Sequence, residues 1–388
     1  MTKRRWLVAP AILAIILAAC GGGSATSAPA SDAPATVAPA TDAPASDAPA
    51  TDGPPEAIKL GFVTHVLGNP FIQQIVDGAE AAAADLNVEL QVVGPEDGSA
   101  ETQLGLVESL VASGVQGIAT SVPGESMASR LNEIIAAGTP IVQFNLLVTS
   151  VNAPYVGERS VESGRILGAK VLEQIGGEAA TGKVIIGNCF PGFPVLENRA
   201  RGVQESLAAA TGIEVLGPFD VKVSATENYA AWEALLAANP DAKALIGLCA
   251  PDIASLGKLQ AANASTPFVS GGYDLTAENL AEIKAGNAYV SLGQTPFMQG
   301  YLPIKMLADV VRGTAKVDLS KGGFLDAGTE IVTADSVEEP YDLPPLTFAE
   351  LEAIAASPEA AREYYQPLVD KEIFYWSTLI EPIEAESE

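Results

Sequence analysis

Histidine is almost missing from this 388-residue chain, where His65 stands alone. That excludes a His-Glu-x-x-His zinc site and any metal centre built on several histidines. No Gly-x-Ser-x-Gly segment occurs, which weighs against an α/β-hydrolase nucleophile. Gly177 to Lys183 has the outline of a phosphate-binding loop. However, Val184 stands where the metal-binding Ser or Thr belongs, and the segment precedes a strand-like run instead of following one. Carboxylates are plentiful, but no spacing argues for a glycosidase pair. Cations are scarce, 21 Lys and Arg against 48 Asp and Glu, for a formal charge of −27. Such a chain has no general affinity for phosphate backbones or anionic lipid, so no nucleic-acid partner is expected. These absences predict a protein without metal or cofactor that is not an enzyme, a hydrolase being the rival class.

What is present begins with an export signal. Lys3, Arg4 and Arg5 precede an apolar run from Trp6 to Ile16, shorter than the roughly 20 residues of a membrane span. Leu17-Ala18-Ala19-Cys20 follows and resembles the bacterial lipobox, in which the cysteine accepts a lipid and becomes the first mature residue. From Ala28 to Asp52 the chain repeats an Ala-Pro-Ala pentamer ending mostly in Asp, with little to bury and regular prolines that disfavour helix and sheet. It reads as an extended tether. The expected organisation is a signal peptide at 1–19 and a lipidated tether at 20–56. Lobe 1 then takes 57–157 plus 295–335, and lobe 2 takes 158–294 plus 336–388 with a C-terminal extension packed on it.

The body alternates short apolar runs with amphipathic helical patterns, the signature of a parallel α/β sheet. The pattern runs once to about Gly157 and then restarts, which predicts two doubly wound parallel-sheet lobes joined by hinge crossings near Gly157, Gln294 and Ser336. In open α/β sheets ligands bind beyond the carboxyl ends of the strands, so two facing lobes place one cleft between their strand ends. Polar and aromatic residues gather there: His65, Asn69 and Phe71 after the first strand, and Asn145 after the fourth. Later strands are followed by Phe193 and Arg199, by Pro251 and Asp252, by Asp274 and by Gln294. Helix capping explains Asn69, Asp252 or Asp274 singly; the set as a whole fits a sugar, each of whose hydroxyls needs a partner when buried. Cys189 and Cys249 close two strand-like runs, so either a disulfide or two buried thiols would suit them.

Five segments carry a family resemblance: Leu60–Val63 with Asn69–Phe71, Gly114–Ile118, Ala137–Val142, Arg199–Gly202 and Gln294–Gly300. On these the body resembles the type I periplasmic binding proteins of the ribose- and galactose-binding group, over nearly all its length. The resemblance implies cleft closure around a small polar ligand, most simply a monosaccharide. It implies delivery by a lipid-anchored monomer to the permease and ATPase of an ABC importer, on the outer face of the membrane. It also implies ligand contacts at Asn69, Phe71, Asn145, Arg199, Asp274 and Gln294, so that Arg199→Ala would abolish binding in a folded protein. Leu146 and the Pro251-Asp252 pair depart from the ribose pattern, and Pro-Asp is similar to the autoinducer-2 binders of the same superfamily. A sensor subunit for such a ligand is the alternative role.

Overall fold

A computed structural model describes residues 57–315, 322–340 and 346–370. The signal, Cys20 and the tether lie outside the described residues, as does the chain beyond 370. The first lobe is built on β1 (Ile58–Val63), α1 (Pro70–Asp85), β2 (Val88–Val93), α2 (Ala100–Ala112), β3 (Gly117–Thr120), α3 (Ala128–Ala136), β4 (Ile141–Phe144) and β5 (Tyr155–Gly157). The chain then crosses into the second lobe with α4 (Ser160–Gln174), β6 (Thr181–Asn188), α5 (Pro194–Leu207), β7 (Gly212–Asp220), α6 (Ala225–Ala238) and β8 (Ala242–Gly247). That lobe continues with α7 (Asp252–Ala262), β9 (Val269–Tyr273), α8 (Ala277–Lys284) and β10 (Val290–Leu292). A second crossing returns the chain to the first lobe for α9 (Pro296–Val311) and β11 (Phe324–Asp326). β12 (Ile331–Thr333) and β13 (Val337–Glu338) then join the second sheet, and α10 (Phe348–Ala356) and α11 (Pro358–Asp370) follow.

The strands form two sheets, a six-stranded one ordered β11-β5-β4-β3-β1-β2 and a seven-stranded one ordered β13-β12-β10-β9-β8-β6-β7. Every pairing in the first is parallel; in the second only β10–β12 and β12–β13 run antiparallel. The doubly wound reading therefore holds, because helices cover both faces of each sheet and bury strands along their length, as in β3 (Gly-Ile-Ala-Thr) and the Ala-Leu-Ile-Gly end of β8.

The helices that follow the two crossings enter their lobes in the same way. α9 lies against α1 and α4 against α5, each pair brought together by glycines. A Cβ on Gly78 would stand 1.9 Å from the Phe297 carbonyl oxygen, and one on Gly164 would stand 2.3 Å from that of Arg199. No side chain fits, so the helix backbones touch, and each crossing is fixed to its lobe just beyond the cleft.

Two expectations need correction. The third crossing lies between Asp326 and Ile331, upstream of Ser336, because Ile331–Thr333 pairs with β10 in the second sheet. Residues 331–335 therefore leave lobe 1. The C-terminal extension also divides between the lobes. Leu351 of α10 joins the core of α8 and β12, while Ala361 and Tyr365 of α11 join the core of α1 and α9. Lys284–Glu352 ties the extension to lobe 2, and Arg362–Asp85 ties it to lobe 1.

Candidate functional site

The carboxyl ends of both sheets face one cavity of about 1000 Å³. His65, Asn69, Phe71 and Asn145 stand on its first wall; Phe193, Arg199, Pro251, Asp274 and Gln294 stand on the second. Of the expected residues only Asp252 is absent from the wall. It is fully buried and turned away: Oδ1 accepts from Asn228 Nδ2 at 2.7 Å and from Trp232 Nε1 at 2.8 Å, and Oδ2 accepts from the Cys249 amide at 2.9 Å. A buried carboxylate needs such partners, so Asp252 pins the loop that carries Pro251 and has no bond to spare for a ligand. Even so, burial pushes its carboxyl up to about 6.

The floor is a hydrogen-bonded chain that runs from one lobe to the other. Asn145 Nδ2 donates to Gln299 Oε1 at 3.2 Å, and Gln299 Nε2 donates to the Gln294 carbonyl at 2.7 Å. Gln294 Nε2 in turn donates to Asp274 Oδ1. Asn145 (φ 58°), Asp274 (φ 73°) and Thr295 (φ 50°) all adopt left-handed backbone at this floor. Asn and Asp tolerate that conformation, whereas a β-branched Thr rarely does. Thr295 is held in it by Glu330, whose carboxylate accepts from the Thr295 amide and hydroxyl at 3.2 Å each. One atom is left over: Gln294 Oε1 is buried and has no donor among the described residues.

Arg199 forms the second wall's charged centre. Its Nε and Nη2 engage Glu158, Nη1 donates to the Leu248 carbonyl at 2.8 Å, and the guanidinium lies 3.8 Å from the Tyr273 ring centre. The Tyr273 hydroxyl is 3.0 Å from Ser163 Oγ, so α4 supports the ring from behind. Glu158 was not among the expected residues. It follows β5, a strand of three residues, and meets Arg199 only through the crossing, which no local pattern reveals. Asp274 is pushed up to about 7 by desolvation, a rise that the nearby Arg199 charge limits.

The cysteines are joined. Cys189 ends the loop side of β6 and Cys249 that of β8; these are neighbouring strands, with Cα atoms 6.1 Å apart. The disulfide lies on the cavity wall and ties together the two loops that present Phe190 to Phe193 and Ala250 to Pro251.

The sequence profile of the periplasmic binding protein domain matches residues 60–315, most of the body just described. The chain belongs to the periplasmic binding protein family. Among curated relatives, the xylose/arabinose-binding protein XylF of Sulfolobus acidocaldarius is 24% identical over 303 residues, covering 73% of this chain and 72% of the relative. The ribose import binding protein RbsB of Salmonella typhimurium is 23% identical over 258 residues, 66% of this chain and 85% of the relative. Among solved structures, an ABC transporter solute-binding protein from Burkholderia graminis in complex with D-arabinose has a TM-score of 0.65 at 22% identity, covering 72% of this chain and 96% of that one. The glucose-galactose binding protein GanP of Geobacillus stearothermophilus also has a TM-score of 0.65, at 23% identity, covering 75% and 100%.

In this periplasmic binding protein the mouth of the cleft is lined by aromatic rings. Phe193 lies tilted against Phe190 with centroids 4.0 Å apart, and its ring meets His65 across the cleft in a T-shaped contact at 5.9 Å. His65 Nδ1 is 3.3 Å from Ser121 Oγ. Desolvation pushes the imidazole down to about 4, which leaves it neutral at physiological pH. Asn69 caps α1, its Oδ1 accepting from the Phe71 amide at 2.9 Å and the Ile72 amide at 3.4 Å. Among the described residues no group of His, Cys, Asp and Glu could hold a metal, and no helix is long and apolar enough to cross a membrane.

Proposed function

We propose that this chain is an extracytoplasmic solute-binding protein that closes its two lobes on a sugar and passes it to an ABC importer. The observation that carries the reading is the floor. It brings the Asp274 carboxyl, the Asn145 amide and Gln294 to the surface of one cavity. Ring hydroxyls both donate and accept, so a polyhydroxylated ligand matches such a floor where an apolar one would not. A ligand bonded to both Asn145 and Asp274 touches both lobes, and that is what makes it favour the closed form. The sugars named for the relatives, xylose, arabinose and ribose among them, support the same class.

The anchor belongs to this reading as well. Cys20 after Leu-Ala-Ala would hold the protein on the outer face of the membrane as a lipid-linked monomer, with the Ala/Pro tether as spacer. The permease and ATPase would then recognise the closed form. The test is a thermal-shift screen of the full chain against pentoses, hexoses, polyols and an autoinducer-2-type furanose. Saturation at about a hundred times Kd adds about 2.7 kcal/mol of stability. A shift with a sugar supports the reading, and a shift with none of them overturns it.

A further inference from the structure

Few large apolar side chains are exposed among the described residues: Leu67, Phe190, Phe219 and Val223. Isolated ones need no explanation. All of these except Phe219, however, stand on the rim of the cavity, Leu67 from lobe 1 and Phe190 and Val223 from lobe 2. Phe190 lies on Phe193, whose ring reaches His65 on the opposite wall, so an aromatic shelf extends outward from the polar floor. The lobes already approach each other at this mouth. A Cβ on Gly98 of lobe 1 would come to 3.6 Å from Phe190 Cζ, ordinary van der Waals distance. Even with the rim this close, the cavity measures about 1000 Å³. The cavity opens outward through this apolar rim, so a ligand seated on the polar floor has Phe190, Leu67 and Val223 beside its outward end.

We infer that the cleft accepts a two-ring glycoside, with a polyhydroxylated ring on the Asn145–Asp274–Gln294 floor and a second flat ring against the Phe190–Phe193 shelf beneath Leu67 and Val223. The inference rests on the sugar-binding reading and extends it outward. The second ring is recognised by its face: aromatic side chains stack equally on the C–H patch of a sugar and on an aryl aglycone.

Titration calorimetry of the full chain tests this with a pentose and a hexose, their disaccharides and their phenyl glycosides. The quantity read is the ratio of monosaccharide Kd to glycoside Kd. A ratio of about ten or more, about 1.4 kcal/mol, is expected for at least one glycoside. In Phe190→Ala and, separately, in Val223→Ser the ratio falls towards one; both side chains are exposed, so the variants keep the fold. Whether disaccharide or phenyl glycoside shows the gain identifies the second ring. Binding of monosaccharides with no gain for any glycoside overturns the inference and leaves the sugar-binding reading standing. A gain that survives both substitutions overturns the shelf as its source. No binding by any compound overturns both readings together.

Discussion

Lobe 2 holds the ends of its strands with a disulfide and a buried ion pair, whereas lobe 1 holds the matching loops with neutral hydrogen bonds. Around the second wall lie a disulfide, the Arg199–Glu158 pair over Tyr273, the Asp252 triad of acceptor bonds, and Asn279, whose amide donates to three carbonyls. The first wall has the Asn69 cap, the His65–Ser121 contact and the Asn145–Gln299 bond, with Gln103 donating to Thr120 and Ser121, Gln143 accepting from the Val148 amide and the Tyr155 hydroxyl donating to the Asn145 carbonyl. Both lobes share the order of their first five strands and the same glycine-mediated entry of the crossing helix, so the difference is one of finishing. The second wall is held by a covalent bond and a buried ion pair, the first by neutral hydrogen bonds. Stranding a buried charge costs more than losing one neutral bond, so the second wall is the more sensitive to substitution.

The comparison is broken hardest at Arg199. Because its partner Glu158 is buried, Arg199→Ala should cost about 3–5 kcal/mol of stability as well as ligand binding, measured by urea unfolding. The sequence alone suggested that the variant would lose binding and stay intact; the buried pair changes that expectation. Replacing Arg199 and Glu158 together by apolar residues should recover most of the stability and none of the binding.

Next in size is the disulfide. Reduction, or Cys189→Ser with Cys249→Ser, should lower stability by about 2–4 kcal/mol and weaken ligand affinity through the two loops it joins. Equal affinity with and without the bridge would show that lobe 2 needs no such staple.

Asp274→Asn comes third, with a loss of about 1.5–3 kcal/mol of binding, the worth of a hydrogen bond to a charged group. The pH dependence of the empty protein has a definite sign. With its carboxyl raised from 3.8 to about 7, the folded state holds a proton that the unfolded state has released, so stability falls as pH rises across that window. Asp252 contributes in the same direction with its value of about 6. The difference between wild type and Asp274→Asn isolates Asp274: the variant should melt higher than wild type at pH 8 and lose that advantage near pH 4. The smallest effect is expected in lobe 1, where Asn145→Ala should weaken binding by about 0.5–1.5 kcal/mol, one neutral hydrogen bond. A larger loss there than at Asp274 would reverse the comparison.

Much of this was legible in the sequence because strand ends are local features. The alternation of apolar runs with amphipathic stretches located β1, β4, β6 and β8, and the residues after them fell on the cavity wall. The failures have a common cause in distance along the chain. Asp252 looks like a strand-end ligand group until Asn228 and Trp232, on another helix, claim its oxygens. Glu158 meets Arg199 across 41 residues, and β12 finds its partner in the other sheet after only three residues of strand, too few to show a period. The extension carries apolar residues at helical spacing, but spacing does not say which lobe a helix faces.

The division of that extension between the lobes has a mechanical consequence. Three crossings on one side of the molecule form a fulcrum, and the α10–α11 pair adds a fourth link between the same two bodies. It attaches close to the fulcrum, since Tyr365 stacks on Phe297 and its hydroxyl comes within 3.4 Å of Glu330, next to the second and third crossings. A link near the axis moves little when the jaws swing open and is strained at once when they shear or counter-rotate. If the lobes close on a ligand as proposed, the fourth link would leave bending comparatively free and stiffen torsion, and a jaw confined to one arc would bring Asp274 and Asn145 back to the same separation at every stroke.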